Sequence, residues 1–493
     1  MFPEFTLRYS SLPERFYAPA EPDSAHQPRL IAFNRALAEE LGFDLAAWPG
    51  DEEAAALFAG NRLPPGAQPI AQAYAGHQFG NFVPQLGDGR ALLLGEVTDR
   101  AGRLRDIQLK GSGSTVFSRG GDGRAPLGPV LREYLVSEAM HRLGVPSTRA
   151  LAAVSTGQGV VRERLLPGAV LTRVAASHIR VGTFEYFAAR GDQEALALLV
   201  EHVIARHYPE LAERPASERP LALLEAVQRR QAALVARWMG LGFIHGVMNT
   251  DNTAISGETL DYGPCAFMEA YDPATVFSAI DQQGRYAYGN QPQIMQWNMA
   301  RFAETLLGLM DEDPQRAIEQ ATAVIEAFPS QYREAWLGVM RDKLGLGGGW
   351  VEDAALAEDF LQALRAGGAD FTLSFRLLAD CAASSAADEA LLALCPQDAE
   401  PLRAWLPRWR ERLVADAGDP EGRAGRMRRT NPLYIPRNHQ VERVIQAAQK
   451  DDYAPFEALR AVLAAPFEEQ AGLEAYALPA RAEEQVVRTF CGT

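Results

Sequence analysis

Residues 243–261 read FIHGVMNTDNTAISGETLD, and what this stretch does decides how the rest of the chain is read. It follows an amphipathic helical pattern, opens with His245-Gly246, passes through Asn249, Asp251 and Asn252, and reaches a further acid, Asp261, after a Ser-Gly-Glu-Thr turn. That order suits a loop carrying polar groups to a nucleotide, followed by a strand pair and a last Asp placed to hold a divalent cation against phosphates. The same residue types also populate ordinary surface turns. Taken alone, the stretch leaves both readings open.

A catalytic loop of protein-kinase type carries His, then Gly or Arg, then the catalytic Asp, with the metal-binding Asn five residues beyond that Asp. Counting back from Asn252 places Val247 where the Asp belongs. Valine can neither accept a proton nor orient a hydroxyl, so the usual phosphotransfer base is missing, and Asp251 beside Asn252 is the replacement at hand.

Upstream lie the parts such a loop would need. Residues 91–97 (ALLLGEV) and 104–110 (LRDIQLK) are strand-like runs joined by Asp99-Arg100-Ala101-Gly102, a hairpin turn. Ile107 and Leu109 alternate with Gln108 and Lys110, so Lys110 leaves the sheet on its polar face. Glycine-rich runs flank the hairpin, AYAGHQFGNFVPQLGDGR before it and GSGSTVFSRGGDGRAPLG after it, as expected where backbone turns tightly or approaches a ligand. Pro129 then suits the first turn of a helix in which Leu131, Leu135, Ala139 and Leu143 recur at i+4, and Gly144-Val145-Pro146 ends it. Glu133 lies off that stripe. A strand Lys held by a helix Glu is how a kinase small lobe steadies its phosphate-binding ammonium; Lys110 and Glu133 are the candidates, and a solvated Lys and an exposed Glu are the plainer alternative.

Residues 147–175 read as further strands, bringing Arg173 and, seven residues on, Arg180 to the boundary with a helical region. Both are permanently charged forks suited to phosphate oxygens or to salt bridges. From Phe184 to Gly242 the pattern is helical, best seen in Leu221, Leu224, Val227, Leu234, Val235 and Trp238, closed by Gly240 and Gly242. Helices follow from Ile294 to about Leu346, with Tyr286, Tyr288 and Trp297 read as packing residues. A helical pattern is also expected near Ile31 to Leu41, ahead of the breaker cluster Asn61-Arg62-Leu63-Pro64-Pro65-Gly66. The tail beyond Gly347 is mostly helical, and packing against the helical region is its default role.

The composition bounds the function classes. The chain has 493 residues, 47% apolar and 23% charged, ordinary values for a globular protein. A formal net charge of −15 disfavours a general nucleic-acid or anionic-membrane surface while allowing a local basic pocket. Cys265, Cys381, Cys395 and Cys491 are too scattered for a disulfide framework or a zinc site, which fits a reducing compartment. No signal-like or bilayer-spanning run is present in the sequence, so a cytoplasmic protein is expected.

The long runs AYAGHQFGNFVPQLGDGR, DIQLKGSGSTVFSRGGDGRAPLGPVLREYL, LTRVAASHIRVGTFEYF and HGVMNTDN with DYGPCAFMEAYDP cover most of residues 70–300, and by them the chain closely resembles the selenoprotein O (SelO, or YdiU) family of pseudokinase-like protein adenylyltransferases. The resemblance implies an α+β, bilobal protein-kinase-like fold: an amino-terminal extension (1–65), a β-rich small lobe (66–180), a helical large lobe with the catalytic loop (181–346) and a helical carboxy-terminal extension (347–493). It further implies ATP bound in a flipped orientation, its γ-phosphate buried, so that AMP passes to Ser, Thr or Tyr hydroxyls of proteins and pyrophosphate leaves. Carried over, Gly87, Gly89, Arg90, Lys110, Asp122, Gly123, Arg173, Arg180 and Asp261 contact the nucleotide, Asp251 is the base, Asn252 and Asp261 hold Mg²⁺ or Mn²⁺, and Glu133 steadies Lys110. Within this family Val247 is expected. Some members of the family carry a selenocysteine near the carboxyl terminus; here Cys491 stands there. The resemblance to members that link a terminal cysteine to one just after the metal Asp implies a reversible disulfide between Cys491 and Cys265, two unrelated buried thiols being the alternative. An atypical kinase transferring the γ-phosphoryl group and a nucleotide-binding pseudokinase scaffold are the competing readings.

Overall fold

The computed structural model describes residues 2–416 and 419–490. Strands dominate up to Ala175 and helices after it, giving a mixed α and β architecture around one large sheet. In spatial order the sheet runs Tyr17–Pro19, Ile70–Gln72, Ala91–Thr98, Leu104–Lys110, Leu165–Ala175, Arg149–Val161 and Arg29–Phe33, with every pairing antiparallel. Two short strands, Phe5–Thr6 and Ala125–Pro126, pair off this path.

The central hairpin follows from its turn. The Asp99 carboxylate accepts from the backbone N–H groups of Ala101 and Arg103, both at 2.9 Å, which sets the register from Thr98↔Leu104 to Ala91↔Lys110. Alternation then sorts the faces. Ile107 and Leu109 pack with Leu37, Leu41, Phe43 and Phe58 of the amino-terminal segment, leaving Gln108 and Lys110 on the other side.

The helix expected near Ile31 to Leu41 is corrected. Residues Arg29–Phe33 form an edge strand paired with Ala152–Ser155, and only Arg35–Glu40 is helical, begun by Asn34, whose side chain accepts from Leu37 N at 3.1 Å. The pairing partner lies more than a hundred residues away, so no local pattern announces it. The first 65 residues thus supply both edge strands of the sheet.

The helical region is organised on Arg219–Leu241, which ends where Gly242 turns left-handed at φ +70°. Leu224, Val227, Val235 and Trp238 of this helix share a core with Phe302, Leu306 and Met340 of the helices Gln291–Met310 and Phe328–Leu344. From Gly242 the chain enters Phe243–Ile244, paired with Ala266–Phe267, and this small ladder frames the loop between.

The tail does more than cover the helical region. Phe360, Trp405 and Trp409 join that core, whereas Val441, Val444, Phe456 and Leu459 pack on Leu131, Tyr134 and Leu135 of the helix Leu127–Arg142. Between them the fully buried Arg437 is held by Asp370 at 2.8 and 3.1 Å and by Glu269 at 3.3 Å. Among the described residues no helix is long and apolar enough to cross a membrane.

Candidate active site

Lys110 closes its strand between Ala91 and Leu171, and Arg173 sits on the neighbouring strand opposite Gln108. The helix Leu127–Arg142 aims Glu133 at both cations: Lys110 Nζ donates to Glu133 Oε2 at 2.6 Å, and Arg173 Nε donates to Glu133 Oε1 at 2.7 Å. Asp261 completes the group, accepting from Lys110 and, at 3.2 Å, from Arg173. Burial would raise the Asp261 carboxyl, but Lys110, Arg173 and Arg90 outweigh it and hold it well below the usual carboxylate range. Asp261 has φ +67°, a left-handed conformation uncommon outside glycine, and this backbone turn delivers its carboxylate to the cations.

The preceding turn, Thr250–Asn252, presents Asp251 at 7% exposure. Its Oδ2 accepts from Gln78 Nε2 at 3.2 Å while Oδ1 is buried without a hydrogen-bond partner. Burial pushes its carboxyl up to about 6. Gly76 makes this approach possible, because a Cβ there would lie 2.6 Å from Asp251 Oδ1. Arg180 donates to the Asp251 carbonyl at 2.7 Å and lies over the Tyr74 ring at 4.4 Å. Asn252 donates to the Val247 carbonyl at 3.1 Å. His245 acts inside the loop: its Nε2 faces the Leu260 carbonyl at 3.0 Å, and Nδ1 accepts from Val247 N at 3.3 Å, which assigns a neutral ring protonated at Nε2.

These residues open onto a cleft of about 600 Å³. Gly87, Gly89, Arg90, Asp122, Gly123, Arg180, Asp251, Asn252 and Asp261 line it, whereas Lys110, Glu133 and Arg173 stand behind Asp261. Gly123 has φ +64°, and a Cβ there would collide with the Gly113 carbonyl oxygen. Arg119, Arg124 and Arg162 also line the cleft, and Asp122 pairs with Arg162 at 2.8 Å. An acidic chain therefore encloses a pocket in which five arginines face three aspartates, a local cationic excess suited to a polyphosphate. The reading from sequence missed Tyr74, Gln78, Arg119, Arg124 and Arg162; the glycine-rich runs containing Tyr74, Gln78, Arg119 and Arg124 were the available signal.

Among the described residues no three His, Cys, Asp or Glu side chains converge as a metal cage. The carboxamide oxygen of Asn252 and the second oxygen of Asp261 fit a different case, a Mg²⁺-type ion carried largely by substrate phosphates. Cys265 is buried and its thiol is pushed up to about 12 by burial. Cys491 lies outside the described residues, but Thr489 Oγ1 donates to the Pro264 carbonyl at 2.5 Å, next to Cys265.

Comparison with known proteins agrees with this chemistry. The family described as "Protein adenylyltransferase SelO" matches residues 2–464. A protein nucleotidyltransferase YdiU of Cereibacter sphaeroides is 60% identical over 493 residues, covering 99% of each chain. Proteins of the same description from Rhizobium rhizogenes and Rhizobium etli are 58% and 57% identical over 490 residues, covering 99% of this chain and 97% of theirs.

Proposed function

The chain belongs to the SelO family of protein adenylyltransferases and is a nucleotidyltransferase, and from that premise we propose that it transfers AMP from ATP to Ser, Thr or Tyr hydroxyls of other proteins. The fold proposed with it is bilobal and kinase-like, residues 66–180 forming the small lobe and 181–346 the large lobe, with the cleft between them. ATP enters flipped, its β- and γ-phosphates among the arginines and its α-phosphorus toward Asp251. What supports this is the surplus of cations: Arg90, Arg119, Arg124, Arg162 and Arg180 line the cleft.

In the proposed reaction the acceptor oxygen attacks the α-phosphorus, its proton passes to Asp251, and the bond to the bridging oxygen breaks to release pyrophosphate. Asp251 carries the reading. A carboxyl near 6 on a residue that lines the cleft is mostly ionised at neutral pH yet more basic than an exposed aspartate. Asn252 and Asp261 are proposed to hold Mg²⁺ or Mn²⁺, which would neutralise phosphate charge. Lys110, fixed by Glu133, supplies a preorganised positive charge behind Asp261. A cytoplasmic setting and a regulatory disulfide between Cys265 and Cys491 belong to the same reading, the latter supported by Thr489 lying against Pro264.

The test is ATP labelled at the α- or the γ-phosphate, incubated with Mg²⁺ or Mn²⁺ and protein. Acid-stable label from the α position, lost in Asp251→Ala while nucleotide still binds, is expected. Label from γ alone would make the protein an atypical kinase. Bound nucleotide with neither label would make it a scaffold, the reading that Val247 in the usual base position favours.

A further inference from the structure

Glu185 has no part in the chemistry described so far, yet it is 4% exposed and lies beside the candidate base. It belongs to the helix Val181–Ala188, whose first turn touches two separate pieces of the site. Gly182 O accepts from Ala75 N at 2.9 Å, leading into the hairpin Gly76–Val83, and Val181 N donates to the Thr253 carbonyl at 2.9 Å, just after the Asp251 turn. A Cβ on Gly182 would meet the Ala75 carbonyl oxygen, so the helix and the hairpin are in contact as closely as backbone allows.

The hairpin and the turn are then fastened by side chains. His77 N donates to Thr250 Oγ1 at 2.7 Å, Gln78 Nε2 to Asp251 Oδ2 at 3.2 Å, and Phe79 N to Asn249 Oδ1 at 3.1 Å. Glu185 closes this seam from behind. Its Oε2 accepts from Thr250 Oγ1 at 2.5 Å, and its Oε1 lies 2.6 Å from His77 Nδ1. The Thr250 hydroxyl is thereby committed: it gives its proton to Glu185 and offers its lone pair to His77 N. Burying a carboxyl is unfavourable unless its hydrogen bonds are made, and both oxygens of Glu185 make theirs across the one seam that aims Asp251.

We infer that Glu185 is a positioning residue: through Thr250 and His77 it latches the Gly76–Val83 hairpin onto the Asn249–Asp251 turn and so sets where the Asp251 carboxylate points. The inference rests on the reading of Asp251 as base for its catalytic consequence, but not for the latch itself. A carboxamide can reproduce both contacts, its oxygen accepting from Thr250 and its NH₂ donating to His77 Nδ1, whereas alanine can make neither. A small loss of aim is costly, since a misplacement of about 1 Å can lower a rate about 100-fold.

The experiment uses the full chain and two readouts. Amide hydrogen exchange of residues 76–83 should rise in Glu185→Ala and stay at the wild-type level in Glu185→Gln. The kcat for AMP transfer should fall about 100-fold in Glu185→Ala with the KM for ATP within about threefold, and return to within about threefold of wild type in Glu185→Gln. Thr250→Val should reproduce Glu185→Ala, and the double variant should be no worse than either, because one latch cannot be lost twice. If Glu185→Ala does not fold, Thr250→Val and Glu185→Gln carry the same expectations. Unchanged exchange in the alanine or valine variant overturns the latch, as does Glu185→Gln failing as badly as Glu185→Ala. If instead Asp251→Ala keeps wild-type turnover, the base assignment falls while the exchange readout still decides the latch.

Discussion

Replacing Gln78 by leucine is expected to move the acid limb of the pH–rate profile upward by about one pH unit, toward the lower end of what a lost hydrogen bond to a charged group allows. Burial is the main influence on Asp251 and raises its carboxyl; the Gln78 hydrogen bond is the foremost influence opposing it. Such a bond contributes about 1.5–3 kcal/mol, and about 1.4 kcal/mol corresponds to one unit. The 3.2 Å separation argues for the weaker end. The limb should therefore shift from about 6 in the wild type toward roughly 7 in Gln78→Leu.

The direction follows from which form the amide stabilises. Gln78 donates to the ionised carboxylate, so without it Asp251 holds its proton to higher pH and is an idle base over a wider range. Near pH 6 the variant should be about fivefold slower than the wild type, and above roughly pH 8.5 the two curves should both be flat. The assay is kcat/KM from initial rates of pyrophosphate release across this range at saturating divalent cation. Ionisation of the nucleotide is common to both enzymes and cancels in the difference. Gln78 also lines the cleft, so the plateau height can change; the position of the limb is read separately from it. Two profiles with the limb at the same pH would refute the assignment of that limb to Asp251.

The buried carboxylate also affects stability. The folded pKa of Asp251, about 6, lies above its ordinary 3.8, so ionisation disfavours the folded state above pH 6 and has no effect below pH 4. Asp251→Asn should raise the unfolding free energy measured by urea titration at pH 7.5 by up to about 3 kcal/mol, with no gain at pH 4, while lowering transfer at least about 100-fold. Glu133→Ala leaves Lys110 and Arg173 with only Asp261 between them and should cost about 3–5 kcal/mol in the same unfolding assay, the range for breaking a buried ion pair. Gly123→Ala forces the loop off the Gly113 carbonyl and should weaken ATP binding about tenfold by calorimetry, roughly 1.4 kcal/mol. Under oxidising conditions a peptide linking Cys265 to Cys491 should appear by mass spectrometry; its absence would remove the proposed disulfide.

How much of this was legible in the sequence depends on how far apart the interacting residues lie. Alternation in LRDIQLK put Lys110 on the face opposite Ile107 and Leu109, and the structure has it there because each choice is local to one strand. The Gly242 stop and the turn at Asp99 were legible for the same reason. The edge strand Arg29–Phe33 was not, since its apolar spacing also suits a helix and only the distant Ala152–Ser155 segment decides between them. Nor could alternation anticipate the left-handed Asp261, a conformation whose usual signal is glycine.

The candidate site divides along the same line. Its chemically obvious members, Asp251, Asn252 and Asp261, lie within one short loop and announce themselves by type and order. The residues that set their geometry are remote: His77 and Thr250 are 173 positions apart, and His77 and Glu185 are 108 apart. Loops carry polar residues at little cost, but holding two of them in mutual register takes contacts that close long stretches of chain, each with its own entropic penalty. The helix Val181–Ala188 meets that requirement by touching hairpin and turn at once, through Gly182 and Glu185, so the aim of Asp251 is a property of the helix as much as of its own loop. A substitution scan confined to the loop would therefore find the base and Thr250 but miss Glu185 and His77, the remote residues to which Thr250 is tied.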